Sequence, residues 1–341
     1  MTKKILILKN DRGGDLFTST KLISSLISSN SNTTIYLSEL NHGFSFLFKR
    51  SIIKKTNFNL NFLNKLNIFI HILLSDYDKI YILAPKNFYF FLPMIFKKIK
   101  FYAIVYDNYN KKRPSNFFRK FLHKYKIIYR NKINLKSYRD LQLDLLDNNE
   151  NIYHNHSSLY IPEINQKIKS MLPQNFFLFQ FRHLFFENLG WGITEFDHLI
   201  SKIHSKYEYI LFSSDLENNK SSKYFNTYFK KNYSIIDTDN HKKIINNNNQ
   251  KTFYLDNINS LNLFILLKLS DMNMAKEGLF GHISYFHNRK CHNLFNFQIN
   301  SHEDFIHQKI SYSEWCKNMK LSFSLLNNDI NKATRKILKN I

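Results

Sequence analysis

"ILILKNDRGGDLF", residues Ile5 to Phe17, opens the chain on an apolar run that stops at Lys9. It then turns through Gly13 and Gly14, presents Asp15 and becomes apolar again. Ile5–Leu8 is apolar throughout, as a strand buried on both faces would be. The chain holds only 7 glycines in 341 residues, so two side by side call for a reason. Glycine serves where backbone takes positive φ or must approach a ligand closely. The stretch therefore reads as a strand, a turn and a helix, the opening of a parallel α/β sheet.

Outward from this stretch the same rhythm continues. A helix is expected over Thr18–Ser29, with Leu22, Ile23 and Leu26 on one face. Strands are expected at Thr34–Leu37, Lys79–Leu83 and Phe101–Tyr106, separated by helices over Phe58–Leu74 and Phe88–Lys98. A basic, aromatic stretch covers Lys111–Asn131, followed by a helix over Ser137–Leu146 and a polar linker over Asp147–Ser158. Past Pro173 the rhythm restarts. Strands are expected at Phe176–Phe181, Tyr209–Ser213, Ser234–Asp237, Thr252–Leu255 and Asp271–Ala275. Helices are expected over Thr194–Ser205, Leu216–Lys230 and Ser260–Leu269, and Trp315–Ile341 reads as one or two helices. Such alternation makes parallel sheets covered on both faces. The fold class is α/β, with two Rossmann-like halves facing each other, residues 1–155 and 156–341.

Six of the glycines form three pairs: Gly13 with Gly14, Gly190 with Gly192, and Gly278 with Gly281. Each pair lies just past an expected strand, where open α/β sheets bind ligands. In "NDRGGD", Asp15 is either a helix N-cap or a general base. "FRHLFFENLGWG" offers Arg182 and His183 directly after a strand, or is a basic turn with Trp191 packed down on the domain. "KEGLFGH" offers Lys276, Glu277, two glycines and His282, with a short helix opening at about Gly281. Free N–H groups and the helix dipole there suit a diphosphate. The plainer reading is a strand-to-helix turn with His282 as a satisfied polar residue.

Composition bounds the function loosely. Lys and Arg number 49 against 26 Asp and Glu, a net charge of +23, which permits an anionic partner. The lysines are dispersed, and an AT-rich coding sequence would enrich Lys, Asn, Ile, Phe and Tyr by itself. Cys291 and Cys316 lie far apart without metal-ligand spacing and read as free thiols of a reducing compartment. No signal peptide is visible. The most apolar stretch, Phe88–Phe96, is far below the ~20 residues that span a bilayer. No G-x-G-x-x-G follows a strand and no P-loop occurs, so NAD, FAD and P-loop chemistry are not supported.

With these motifs in place, the chain resembles the family 9 glycosyltransferases, the heptosyltransferase-like enzymes of bacterial lipopolysaccharide assembly. "KILILKNDRGGDLFTSTKLISSL" is similar in register to the family's strand, S-L-G-D-like loop and helix. "LNLFILLKLSDMNMAKEGLFGH" resembles its late block ending in D-T-G-x-x-H, and "SYRDLQLDLL" the segment before the linker. The resemblance implies a GT-B fold, two Rossmann-like domains around a central cleft with a C-terminal helix crossing back. It implies Asp15 as catalytic base, with Arg12, Gly13 and Gly14 on the acceptor side. The donor side would be Lys276, Glu277, Gly278, Gly281 and His282, with Arg182 or His183 supplying charge in place of the family's donor-loop lysine. Glu stands at 277 where the family has Asp, Gly278 where it has Thr, and Leu279 where it has Gly. These departures bear on the donor rather than on the fold.

The implied activity is inverting transfer of a sugar, such as heptose, from a nucleotide-sugar to a lipopolysaccharide or other cell-envelope glycan. No metal and no cofactor are expected. The implied place is the cytoplasm, with peripheral contact to an anionic inner membrane through the basic, aromatic stretch, and no nucleic-acid partner. Two other readings stand beside it: a GT-B-fold nucleotide-sugar epimerase or hydrolase, which needs no acceptor, and a non-catalytic nucleic-acid binder using Lys111–Tyr129.

Overall fold

The computed structural model describes residues 3–29, 32–107, 117–129, 138–147, 158–213, 223–244, 251–276, 278–296, 321–326 and 328–341. They fall into two compact units that part between Ile161 and Pro162. In the first, six strands are β1 Lys4–Lys9, β2 Asn32–Ser38, β3 Ile52–Thr56, β4 Lys79–Ile82, β5 Lys100–Asp107 and β6 Lys124–Tyr129. All pair in parallel, in the order β3-β2-β1-β4-β5-β6. This is a Rossmann-like sheet whose order reverses between β1 and β4.

Central position explains the apolar run of β1, because Ile5, Leu6, Ile7 and Leu8 are wholly buried. Leu6 and Leu8 join Ile80, Ile82, Phe101 and Val105 in one cluster. Ile68 and Ile72 of the helix Phe62–Leu73 close it. Each such side chain contributes roughly 1.5–3 kcal/mol by leaving water. Asn61 starts that helix by accepting the Asn64 N–H at 2.8 Å.

Several expectations are corrected here. The helix read over Phe88–Lys98 is a 3-10 turn, Asn87–Phe90, and a single α-turn, Leu92–Ile95. Pro93 lacks an N–H and crowds the preceding turn, so helix restarts there instead of continuing. The opening helix is divided into Gly13–Thr18 and Thr20–Ser29. β3 and β6 were not anticipated. Lys124–Tyr129, read as part of the basic stretch, is a sheet strand. Residues 108–116 and 148–157, which hold the rest of that stretch's start and most of the polar linker, lie outside the described set.

The second unit has β7 Phe177–Gln180, β8 Ile210–Ser213, β9 Ser234–Asp237, β10 Lys242–Ile244, β11 Thr252–Asp256, β12 Met272–Lys276, β13 Lys290–Asn296 and β14 Leu321–Leu326. Their order is β10-β9-β11-β8-β7-β12-β13-β14, parallel except where β10 runs against β9. Here the order reverses between β7 and β12. Phe177, Phe179 and Phe212 of the strands pack with Phe186, Trp191, Phe196 and Phe229.

The stretch Trp315–Ile341, read as one or two helices, differs in its described part, while residues 315–320 lie outside the described set. Its described part is the strand β14 followed by the helix Ile330–Asn340. Ala333 and Ile337 of that helix are buried in the second unit's own core. β13 escaped notice because it buries polar groups. His292 is fully buried, its ring nitrogens 2.6 and 3.0 Å from the hydroxyls of Ser322 and Ser324 on β14. Among the described residues no helix is long and apolar enough to cross a membrane.

Candidate active site

Both sheets reverse strand order at a defined point, and ligands bind beyond the carboxyl ends of strands at such points. The glycine pairs follow β1, β7 and β12, three of the four strands that flank the two reversals. They mark one end of each sheet.

In the first unit the loop after β1 is tied to its neighbours by buried polar side chains. Asn10 donates to the Asn57 carbonyl at 3.0 Å and accepts the Tyr89 hydroxyl at 2.8 Å. Ser38 Oγ, at the end of β2, donates to the Asp11 carbonyl at 2.5 Å. Asn41 Nδ2 donates to the Lys9 carbonyl at 2.8 Å. The loop is thereby anchored to the segments following β2, β3 and β4. On this base sits the short helix Gly13–Thr18. Arg12 holds the N-cap position, without a side-chain cap bond, and Asp15 is the third helical residue. Asp15 is therefore not the cap. Its half-buried carboxylate sits in the first turn, where the helix dipole favours negative charge.

A second carboxylate stands beside it. Lys9 is fully buried, and its Nζ lies 2.6 Å from Asp11 Oδ2 and 3.3 Å from the Leu83 carbonyl. Asp11 is 14% exposed. Burial pushes its carboxyl up to about 7, with the Lys9 ammonium pulling it down and the Asp15 charge pushing it further up. Lys86 feels Asp11, Asp15, Glu39 and Arg12, so these charges share one neighbourhood. Burial lowers its ammonium's range, its largest influence. The hydroxyls of Tyr138 and Tyr106, the latter near the carboxyl end of β5, lie 2.6 Å apart. Burial holds Tyr138 neutral, with the Tyr106, Asp15 and Asp11 charges adding to it. The sequence pointed to Asp15, Arg12, Gly13 and Gly14 on this loop, and the structure adds Lys9, Asp11, Asn41, Lys86 and Tyr138 to the same neighbourhood. The "ND" after Lys9 was the available signal, since it puts a second carboxylate four residues before the first.

In the second unit, Arg182 follows β7, half-buried at the N-cap of the helix His183–Glu187. The side chain of His183 lies outside the described set. The rest of the "FRHLFFENLGWG" loop is packed down. Trp191 is 2% exposed and stacks 5.7 Å from Phe186, which lies parallel to Phe181. Gly190 takes φ +72°, in the left-handed region that favours glycine, whereas Gly192 is extended.

Lys276 ends β12, half-buried, and Glu277 lies outside the described residues. The helix after β12 runs Leu279–Phe286, opening earlier than at Gly281. Gly278 caps it at φ +140°, a conformation closed to other residues. The N–H groups of Leu279, Phe280 and Gly281 belong to the first turn, where no intrahelical acceptor exists. His282 is buried within the helix, at 6% exposure. Gly281 has a structural task that the sequence did not disclose. A Cβ there would come within 2.7 Å of Asn293 Oδ1, and Asn293 is fully buried on β13. Gly281→Val should cost about 1–3 kcal/mol by overpacking. Urea unfolding should show a lower midpoint at unchanged slope. An unaltered midpoint would mean that Asn293 does not press on this helix.

No protein-family model and no curated protein sequence matches the chain. Solved structures do resemble it. A family 9 glycosyl transferase from Veillonella parvula gives a TM-score of 0.62 at 11% identity, over 99% of this chain and 90% of that one. The ADP-heptose lps heptosyltransferase II of E. coli gives 0.61 at 11% identity, over 99% of this chain and 97% of that one. The UDP-GlcNAc 2-epimerase of Methanocaldococcus jannaschii gives 0.58 at 13% identity, over 98% and 92%. At these identities the likeness is one of fold, and the chain has the two Rossmann-like units of the GT-B type.

Proposed function

We propose that the chain is a glycosyltransferase of the family 9 kind, transferring a sugar from a nucleotide-sugar to a lipopolysaccharide or other cell-envelope glycan. The observation that carries this reading is Asp15. It is half-buried in a helix first turn at the order reversal of the first sheet, free of the capping role, on a loop anchored to three neighbouring segments. The likeness in fold to a heptosyltransferase agrees with it.

In the proposed reaction an acceptor hydroxyl oxygen attacks the anomeric carbon while the bond from that carbon to the diphosphate breaks. Asp15 takes the hydroxyl proton, and the nucleoside diphosphate leaves with the electron pair, inverting the sugar. Arg12, Gly13 and Gly14 shape the acceptor side. First-turn N–H groups after Gly278, with Lys276 and Arg182 or His183, offset the leaving group's charge, so no metal ion or cofactor is required. Glu277 would accept hydrogen bonds from donor hydroxyls, and His282 supports that loop from within the helix. The proposed setting is the cytoplasm, peripheral to an anionic inner membrane.

A nucleotide-sugar epimerase is the second reading, favoured by the likeness to the archaeal enzyme's fold. Calorimetric titration with ADP, GDP and UDP should show one of them binding below millimolar concentration. Incubation of labelled nucleotide-sugars with a lipid extract then separates the readings. Label carried into lipid supports transfer, and conversion without lipid supports epimerisation. Failure of all three diphosphates to bind would remove the donor site from both.

A further inference from the structure

The Asp15 carboxylate stands among cations, yet among the described residues none of them pairs with it. Lys9, Arg12 and Lys86 share its neighbourhood. The hydroxyls of Thr18 and Ser19 bond to Asp15, but to its backbone carbonyl, and no described group donates to its carboxylate. This matters for a base, because an ammonium held against a carboxylate favours the ionised form and makes it a poorer proton acceptor.

The two cations withdrawn from solvent are each engaged elsewhere. Lys9 is fully buried, and its Nζ lies 2.6 Å from Asp11 Oδ2. Asp11 is itself fixed in place. Asn41 Nδ2 donates to Asp11 Oδ1 at 3.4 Å and to the Lys9 carbonyl at 2.8 Å, so one amide ties both partners together. Lys86, half-buried, stands over the Phe58 ring, 3.7 Å from its centroid. Glu39 Oε2 accepts the Phe58 N–H at 2.6 Å and steadies that segment. A cation over an aromatic face is held by the ring's quadrupole. Arg12 is exposed, where pairing contributes little.

Asp11 feels the charge of Asp15, so the Lys9 ammonium lies one carboxylate away from the base. Without Asp11 that ammonium would keep only the Leu83 carbonyl, 3.3 Å away. A buried charge stripped of its partner is costly, and Asp15 is the carboxylate that remains on the same loop. We infer that Asp11 is a positioning residue, which holds Lys9 and thereby leaves the Asp15 carboxylate unpaired for the acceptor hydroxyl. The inference rests on the reading of Asp15 as base and adds to it a residue that acts through Lys9 rather than on substrate.

The test compares Asp11→Asn with Asp11→Asn combined with Lys9→Met, two chains that differ only in the cation. At pH 8 the parent's Asp11, pushed up to about 7 by burial, is ionised. Single-turnover transfer by Asp11→Asn should then fall about tenfold or more, part of the ~10²–10⁴-fold that a positioned base contributes. The KM for donor should not change. Adding Lys9→Met should restore the parent rate. A crystal structure of Asp11→Asn should show Lys9 Nζ turned onto the Asp15 carboxylate, which needs no substrate. A merely structural Asp11 would lower the melting temperature and leave the rate of folded enzyme alone. The parent's pH profile is a second measurement, open even if Asp11→Asn does not fold. Lys9, Asp15 and Lys86 are the charged groups that act on Asp11. Protonation of Asp11 releases Lys9, so the parent should lose rate below about 7, and the double variant should lack that limb. Parent rates in Asp11→Asn, with Asp15→Asn inactive, would overturn the inference and leave the transfer reading in place. A loss that Lys9→Met does not repair, or an identical acid limb in both chains, would also overturn it. Lys9 found on Asp15 while Asp15→Asn still transfers would uphold the pairing and remove Asp15 as base.

Discussion

Asp15→Asn is expected to lower sugar transfer by about 10²–10⁴-fold, the range that a positioned general base contributes, while leaving the fold in place. The amide has the carboxylate's shape but cannot take the acceptor proton. Arg12, not Asp15, holds the cap position, so no cap is lost. Only the favourable charge in the first turn disappears, worth ~0.3–1 kcal/mol. Melting temperature should therefore move by no more than a few degrees. Single-turnover measurement with the donor identified by titration separates the chemical step from binding. Transfer within threefold of the parent would show that the base lies elsewhere, with Asp11 the next group to replace.

The second large effect is on stability. Lys9→Met should destabilise the fold by ~3–5 kcal/mol at pH 8, the usual result of removing one partner from a buried ion pair. In the parent, burial holds the Asp11 carboxyl near 7, above its ordinary 3.8. Between those values the folded chain keeps a proton that the unfolded chain releases. This group therefore makes the fold less stable as pH rises through that window, and its full cost is present above 7. Removing Lys9 removes the ammonium that opposes this shift, so the carboxyl rises further and the cost above neutrality grows. At pH 5 the variant's carboxyl is protonated, and the penalty should shrink. Urea unfolding at pH 5 and pH 8 reads the difference. Lys9→Met with Asp11→Leu should recover most of the loss, because no buried charge remains. Equal midpoints for parent and Lys9→Met at pH 8 would show that the pair is hydrated in solution.

What could be read from the sequence follows from where its scarce residues fall. Glycine is rare enough that its pairing after Ile5–Leu8, Phe176–Phe181 and Asp271–Ala275 carried information. β1, β7 and β12 are three of the four strands that flank the order reversals. Fully buried strands were legible because burial on both faces leaves an unbroken apolar run. β3 and β6 were not, because half-exposed strands with lysines look like loops. β13 was not, because His292 and Asn293 are polar groups satisfied or accommodated only by partners distant in sequence. The Lys9–Asp11 pair illustrates the same limit at the site. Both residues stand in plain view beside the glycines, yet whether a lysine turns inward depends on tertiary packing. Gly281 was legible as a glycine with a purpose. That the purpose includes room for Asn293 required the structure.

The lysines of the sheet margins bear on a different matter, how the chain stays in solution while it folds and afterwards. A sheet edge offers unpaired backbone groups to any passing strand, and charge on the edge discourages the match. Among the described strands, three of the four edges carry it: Lys54 and Lys55 on β3, Lys124 and Lys126 on β6, Lys242 and Lys243 on β10. The fourth, β14, reads "LSFSLL" and has none. There the following helix supplies a substitute, since Lys336 Nζ donates to the Leu325 carbonyl at 3.3 Å. Part of the large positive charge thus guards against edge-to-edge aggregation. A chain stripped of these lysines to improve crystallisation would gain sticky margins instead.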